Sequence, residues 1–185
     1  YVSLFLNTAP FMIYFGEEVG EKGMDEEGFS GRDGRTTIFD WWSVASIRRL
    51  RKLIASGKYR SSSVSELVEN GLMKEEAELF LRFTEAIRFA AEDCSIRQGT
   101  TYDLCYCNMS SDGFDKNRHF VFLRDYEEHT LLIAANFSNR EAVMKLVIPE
   151  HAFEWMGIPK TEALHPGKVI EVKVQPMDGA IVTLI

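Results

Sequence analysis

The sequence predicts an α+β chain: a helical part, residues 1–98, followed by an all-β antiparallel part, residues 99–185. Three observations predict it. Apolar residues recur at helical spacing between Val44 and Ile96. From residue 99 the period falls to two and turn residues punctuate the chain. Ahead of both stands Phe11-Met12-Ile13-Tyr14-Phe15, a row of large apolar residues that reads as a strand covered on both faces.

Taken in order, Tyr1 to Asn7 reads as the tail of a helix. The strand Phe11–Phe15 then runs into Gly16-Glu17-Glu18-Val19-Gly20, where two glycines force a sharp turn just as the acids appear. A glycine-rich, charged loop spans Glu21 to Gly31. Ser43 is placed to cap a helix from Val44 to Ser56, with Ile47, Leu50, Leu53 and Ile54 at helical spacing and Gly57 as its stop. Ser63-Val64-Ser65-Glu66 is a capping box opening a short helix that ends at Asn70-Gly71. Lys74 to Ile96 is the longest helical stretch, with Leu79, Phe83, Ile87, Ala90, Ala91 and Cys94 on one side. The expected strands are Thr101–Cys107, His119–Arg124, Thr130–Asn136, Val143–Pro149, Val169–Val174 and Ala180–Leu184. They suit a small sandwich with Greek-key connections.

Composition narrows the function. A net charge of −7 and a pI near 5.2 leave no dominant basic surface, which argues against a nucleic-acid partner. Arg48, Arg49, Arg51 and Lys52 fall on the polar face of a helix. Val2 to Phe15 is apolar but interrupted and too short to span a membrane, and no membrane partner is expected. Cys94, Cys105 and Cys107 show no disulfide framework. Cys105 and Cys107 would share one face of a strand as reduced thiols. No metal site and no cofactor are expected, and His119, His129, His151 and His165 are scattered into surface or loop roles. Asn108-Met109-Ser110 and Asn136-Phe137-Ser138 fit the glycosylation acceptor pattern, which is common by chance.

The run from Pro10 to Gly20 resembles the eighth-strand segment of the α-amylase family (glycoside hydrolase family 13), roughly G-x-P-x-x-Y-x-G-x-E-x-G, with Ala9 near the place of the usual small residue. Arg32-Asp33-Gly34-Arg35-Thr36-Thr37-Ile38-Phe39-Asp40-Trp41-Trp42 is similar to the segment that follows this strand in the glucosidase and neopullulanase branches. Arg97-Gln98-Gly99-Thr100-Thr101-Tyr102-Asp103-Leu104 resembles the entry to the family's terminal β domain. Leu131 to Ser138, ending Ala135-Asn136-Phe137-Ser138, looks like a strand of that domain.

The resemblance implies that residues 1–98 hold the last strand and helix of a (β/α)8 barrel plus connecting helices, and residues 99–185 the α-amylase-type β-sandwich. A full barrel takes about 250 residues. The family's catalytic acids sit on strands four, five and seven, so no residue here is expected to be catalytic. The chain, opening at Tyr1, reads as a C-terminal piece of a larger enzyme on α-glucans, inactive alone. The expected substrate-binding residues are Glu18, Arg32, Asp33 and Arg35, a guanidinium offering a planar fork of donors to sugar hydroxyls or carboxylates. A structural reading stands beside each: Glu17 or Glu18 fixing the loop, and the arginines in salt bridges. Phe39, Trp41 and Trp42 suit sugar stacking or packing. Asp25-Glu26-Glu27 lacks the oxygen pattern of a calcium loop. An orphan barrel strand has unpaired edges, so Phe11–Phe15 is expected to re-pair, through self-association or against the chain's own helices. As an alternative, the β domain binds glycan as a non-catalytic module. That predicts a flat row of exposed aromatics, whereas Tyr102, Tyr106, Phe120 and Phe122 read as buried.

Overall fold

The computed structural model describes residues 1–21 and 44–185. Its class is α+β. In chain order the elements begin with α1 (Val2–Phe5), a single 3₁₀ turn (Glu17–Val19), α2 (Ala45–Ala55), α3 (Val64–Glu69), α4 (Lys74–Glu92) and α5 (Cys94–Gln98). Then come β1 (Thr100–Asp103), β2 (His119–Tyr126), β3 (His129–Asn136), β4 (Ala142–Val147), α6 (Glu150–Met156), β5 (Val169–Val174) and β6 (Asp178–Thr183). Among the described residues the strands close no barrel. Contacts divide the chain into one unit of Tyr1–Phe11 with Ile87–Ile185 and another of Met12–Ala86. The expected domains, 1–98 and 99–185, cut the chain differently, because α1, α5 and the end of α4 pack with the strands.

The Met12–Ala86 unit forms where apolar helix positions converge. Val19, Leu50, Leu53, Leu67, Leu72 and Ala77 make its core, and Ile54, on the expected stripe, is left exposed. Gly57 takes the left-handed conformation just past α2, as a helix stop requires. Ser63 caps α3 by accepting from the Glu66 N–H, but the Glu66 carboxylate pairs with the Ser61 hydroxyl instead of closing the box. At the start of α4, Glu76 reaches back to the Met73 N–H (2.9 Å) and grips Arg49 of α2 through Nε and Nη2. That guanidinium, first among the causes, pulls the Glu76 carboxyl down to about 2.

Phe11–Phe15 is a correction. It forms no strand, and its side chains are exposed, Met12 to 83%. An apolar run can be a strand only where neighbours pair it, and among the described residues no strand does so. Among the described residues no strand or sheet of this chain re-pairs the run.

In the other unit, β1, β2, β3 and β6 form an antiparallel sheet in that order, while β4 pairs with β5 in a separate ribbon. Phe122 pairs with Ile133 and Ile133 with Ile181, so β3 is central and buried along nearly all its length. That position accounts for the unbroken apolar run Leu131–Ala135. Sheet, ribbon and α6 share one core built on Leu104, Val121, Leu123, Leu132, Met144 and Phe153. The expectation of an all-β second half is corrected by α6, which Pro149 opens and left-handed Gly157 closes.

Buried polar groups tie the elements together. Arg124 of β2 is 1% exposed; its Nε donates to the Ser95 carbonyl (3.1 Å) and its Nη2 to the Ile96 carbonyl (2.8 Å). Both carbonyls belong to α5, which is thereby held to the sheet. Asn108 and Asn136 are buried and their amides are fully engaged: Asn108 bridges Leu104 and Val147, and Asn136 bridges Arg140 and Gln175. Both glycosylation-like patterns therefore present an inaccessible asparagine in the folded chain. His119 corrects a surface expectation: it lies buried on β2, accepting from the Asp115 N–H.

Candidate functional site

The acidic turn is built from its backbone outward. The Glu17 N–H donates to the Tyr14 carbonyl at 3.0 Å, and Gly16 and Gly20, at φ 83° and 62°, reverse the chain on either side of the 3₁₀ turn. A Cβ on Gly16 would lie 2.6 Å from Glu21 Cβ and 2.9 Å from Ile47 Cδ1, so the position admits only glycine. Glu21 Oε2 accepts from the Ile47 N–H (2.9 Å), capping α2 from a distance. Val19 anchors the turn in the core.

On this frame the two glutamates separate. Glu17 Oε2 accepts from the Tyr14 N–H at 3.0 Å, so its carboxylate closes its own turn. Glu18 is half-buried, and its Oε2 is a buried oxygen with no hydrogen-bond partner among the described residues. A buried acceptor left unmade costs about 1–3 kcal/mol, which a donor from a bound molecule would recover. Of the four expected substrate-binding residues, the structure places Glu18. Arg32, Asp33 and Arg35 lie outside the described residues, as do Asp25-Glu26-Glu27, Phe39, Trp41, Trp42 and the expected cap Ser43.

A second polar cluster lies on the β-rich unit. Tyr102 Oη is 2.5 Å from Tyr106 Oη and 3.1 Å from His151 Nδ1, and the Trp155 ring centre is 5.9 Å from that of Tyr102. Burial, then the Tyr106 hydroxyl, pushes the Tyr102 phenol above its ordinary range. Tyr102 and Phe122 are buried as expected, but Tyr106 is 53% exposed, a correction, and Trp155 is 56% exposed. The exposed rings come from the turn after β1 and from α6, not from a row on a sheet face. Trp155 escaped the sequence reading because α6 did, although Pro149 and Gly157 framed it.

The cysteines also differ from expectation. Cys105 and Cys107 lie in a turn past the end of β1, as free, half-buried thiols. Burial pushes Cys105 up to about 11 and raises Cys107 as well, which makes both poor nucleophiles. Cys94, by contrast, stands beside Asp93 and His129, a grouping that no local spacing announced.

Fold and sites together define an α+β protein with one mainly helical unit and one unit of antiparallel strands. No protein-family model and no curated protein matches the chain. Among the described residues no helix is long and apolar enough to cross a membrane.

Proposed function

We propose that this chain is the C-terminal part of an α-amylase-family glycoside hydrolase acting on α-glucans such as starch or maltooligosaccharides. The reaction is retaining, through a covalent glycosyl intermediate, with the catalytic acids supplied upstream in the parent. Retention needs two carboxyl groups about 5–5.5 Å apart on either side of the scissile bond. Glu17 and Glu18 do not make such a pair, because the first is engaged with the Tyr14 N–H. Glu18 instead accepts a hydrogen bond from a sugar hydroxyl, and Arg32, Asp33 and Arg35, further along the sequence, bind substrate with it. In the parent, Phe11–Phe15 is the last barrel strand, paired by strands from the upstream portion, and residues 99–185 are the stabilising β-sandwich.

The observation that supports this reading is the Glu18 oxygen, unpartnered among the described residues, on a glycine-locked turn within the Pro10–Gly20 resemblance. In the parent enzyme, Glu18→Gln is expected to raise KM for maltooligosaccharides about tenfold with kcat little changed, as loss of uniform substrate binding does. The isolated chain is expected to leave amylose and p-nitrophenyl maltosides intact. Turnover by the isolated chain, abolished by changing one carboxyl side chain, would overturn the proposal.

A second reading, glycan binding by the β-rich unit itself, is favoured by one observation: Tyr106 and Trp155 are exposed around a buried tyrosine hydroxyl. It predicts saturable maltoheptaose binding by this chain that Trp155→Ala and Tyr106→Ala abolish.

A further inference from the structure

Asp93, Cys94 and His129 stand together although neither composition nor motif connects them. Asp93 interrupts the helical stretch between α4 and α5 with an extended backbone, and its Oδ1 accepts from the N–H groups of Ser95 (2.9 Å) and Ile96 (3.1 Å). That double bond fixes the carboxylate and leaves Oδ2 to face His129 Nε2 at 2.9 Å. His129 opens β3 directly after a turn made by Glu127 and Glu128, both at positive φ. The Ser95 hydroxyl donates to the His129 carbonyl, pinning α5 to this hairpin. Cys94 Sγ joins the group, one ligand atom from each residue lying within 4.8 Å of the others, all three residues half-buried.

The imidazole shows what the grouping needs. Its two ring nitrogens face two acceptors, Nδ1 lying 3.2 Å from the Ile185 oxygen and Nε2 2.9 Å from Asp93 Oδ2. A neutral ring carries one hydrogen and donates to only one of them. A metal ion held by Nε2 leaves that hydrogen on Nδ1 for the Ile185 oxygen, so both nitrogens are satisfied. A divalent metal uses all three groups.

We propose that Asp93 Oδ2, Cys94 Sγ and His129 Nε2 bind a divalent transition-metal ion, of which Zn²⁺ fits this donor set best. Thiolate, imidazole and carboxylate are the zinc donors, and a histidine whose other nitrogen donates to a carbonyl is their usual orienting arrangement. Binding forms three metal–ligand bonds and breaks the Cys94 S–H bond, with that proton leaving to solvent. A hydrogen standing on Nε2 of the metal-free ring is exchanged through solvent to Nδ1, where it faces the Ile185 oxygen. The thiolate and carboxylate together balance the charge of the ion. Three protein donors leave one tetrahedral position to water. The guanidinium of Arg124, held against the carbonyls of the same helix, is the fixed cation nearby.

The test uses the whole chain, stripped of metal, with Co²⁺ as the spectroscopic probe. One Co²⁺ per chain is expected, with thiolate-to-metal charge-transfer absorption that Zn²⁺ removes by competition. Cys94→Ser and His129→Gln are each expected to weaken binding at least 100-fold. A double Cys105→Ser, Cys107→Ser variant is expected to keep the absorption. Zn²⁺ is also expected to shield Cys94 of the wild-type chain from iodoacetamide, a readout that needs no variant. Absence of stoichiometric binding, absorption that survives Cys94→Ser, or Cys94 alkylation unaffected by Zn²⁺ would each overturn the site. The proposal is independent of glycan chemistry and stands or falls apart from it.

Discussion

At Gly99 the carbonyl oxygens of Ser95 and Asp125 would lie 2.2 and 2.6 Å from a Cβ. Both obstructing atoms are backbone, so neither can swing aside as a flexible side chain would. The φ at Gly99 is ordinary, so the demand for glycine comes from the close approach of α5 to β2. Gly99→Ala is expected to lose on the order of 3 kcal/mol of stability, read from the shift in urea midpoint at unchanged slope. The same scale decides which glutamate of the acidic turn is free. Glu17 and Glu18 are chemically identical neighbours; Glu17 is exposed and takes the bond from the Tyr14 N–H, while Glu18 is half-buried with an Oε2 that has no hydrogen-bond partner among the described residues.

The tie between α2 and α4 is electrostatic as well as apolar. Glu76 is buried and its pKa falls from an ordinary 4.5 to about 2 when folded, so its contribution is complete above pH 4.5. As the pH drops through that window the carboxylate protonates and the contribution is lost. Glu76→Gln is expected to cost about 1–2 kcal/mol near neutrality, limited because Arg49 remains a third open to water. The difference between wild type and variant is expected to shrink toward zero as unfolding curves are taken from pH 4.5 to 2. A difference that holds constant across that range would show that the ion pair contributes nothing. Elements whose burial follows a local period were legible in the sequence. Strand β5 falls on its expected residues, and β4 buries Met144 and Leu146 by simple alternation. Elements that depend on distant partners were not. Phe11–Phe15 has the composition of a strand, but strand formation is a property of pairing. The break at Asp93 lay hidden because the apolar stripe continues through Ala90, Ala91 and Cys94 while a side-chain cap restarts the helix. For the candidate sites, Gly16 and Gly20 announced the acidic turn. The meeting of Asp93 with His129, 36 residues on, required the β2–β3 hairpin.

At the scale of the molecule, the exposed run Met12–Phe15 is apolar surface without a strand to belong to. The proposed parentage explains it as a segment whose neighbours come from the upstream portion. Self-association of this chain through that run is therefore expected to rise with concentration in sedimentation velocity. Met12→Asp is expected to reduce it, and a monomer at every concentration would remove the run from consideration as a sticky surface. The unit that holds the strands is discontinuous: Tyr1–Phe11 comes before Met12–Ala86, and Ile87–Ile185 after it. Phe5, fully buried beside Phe89, and Leu6, whose carbonyl accepts from Thr101, both need residues that follow the interruption. At usual elongation speeds the ribosome needs roughly 4–15 seconds to traverse the intervening stretch. Throughout that interval the α1 segment has no sheet to receive it, so its burial waits on the synthesis of the residues beyond Ala86.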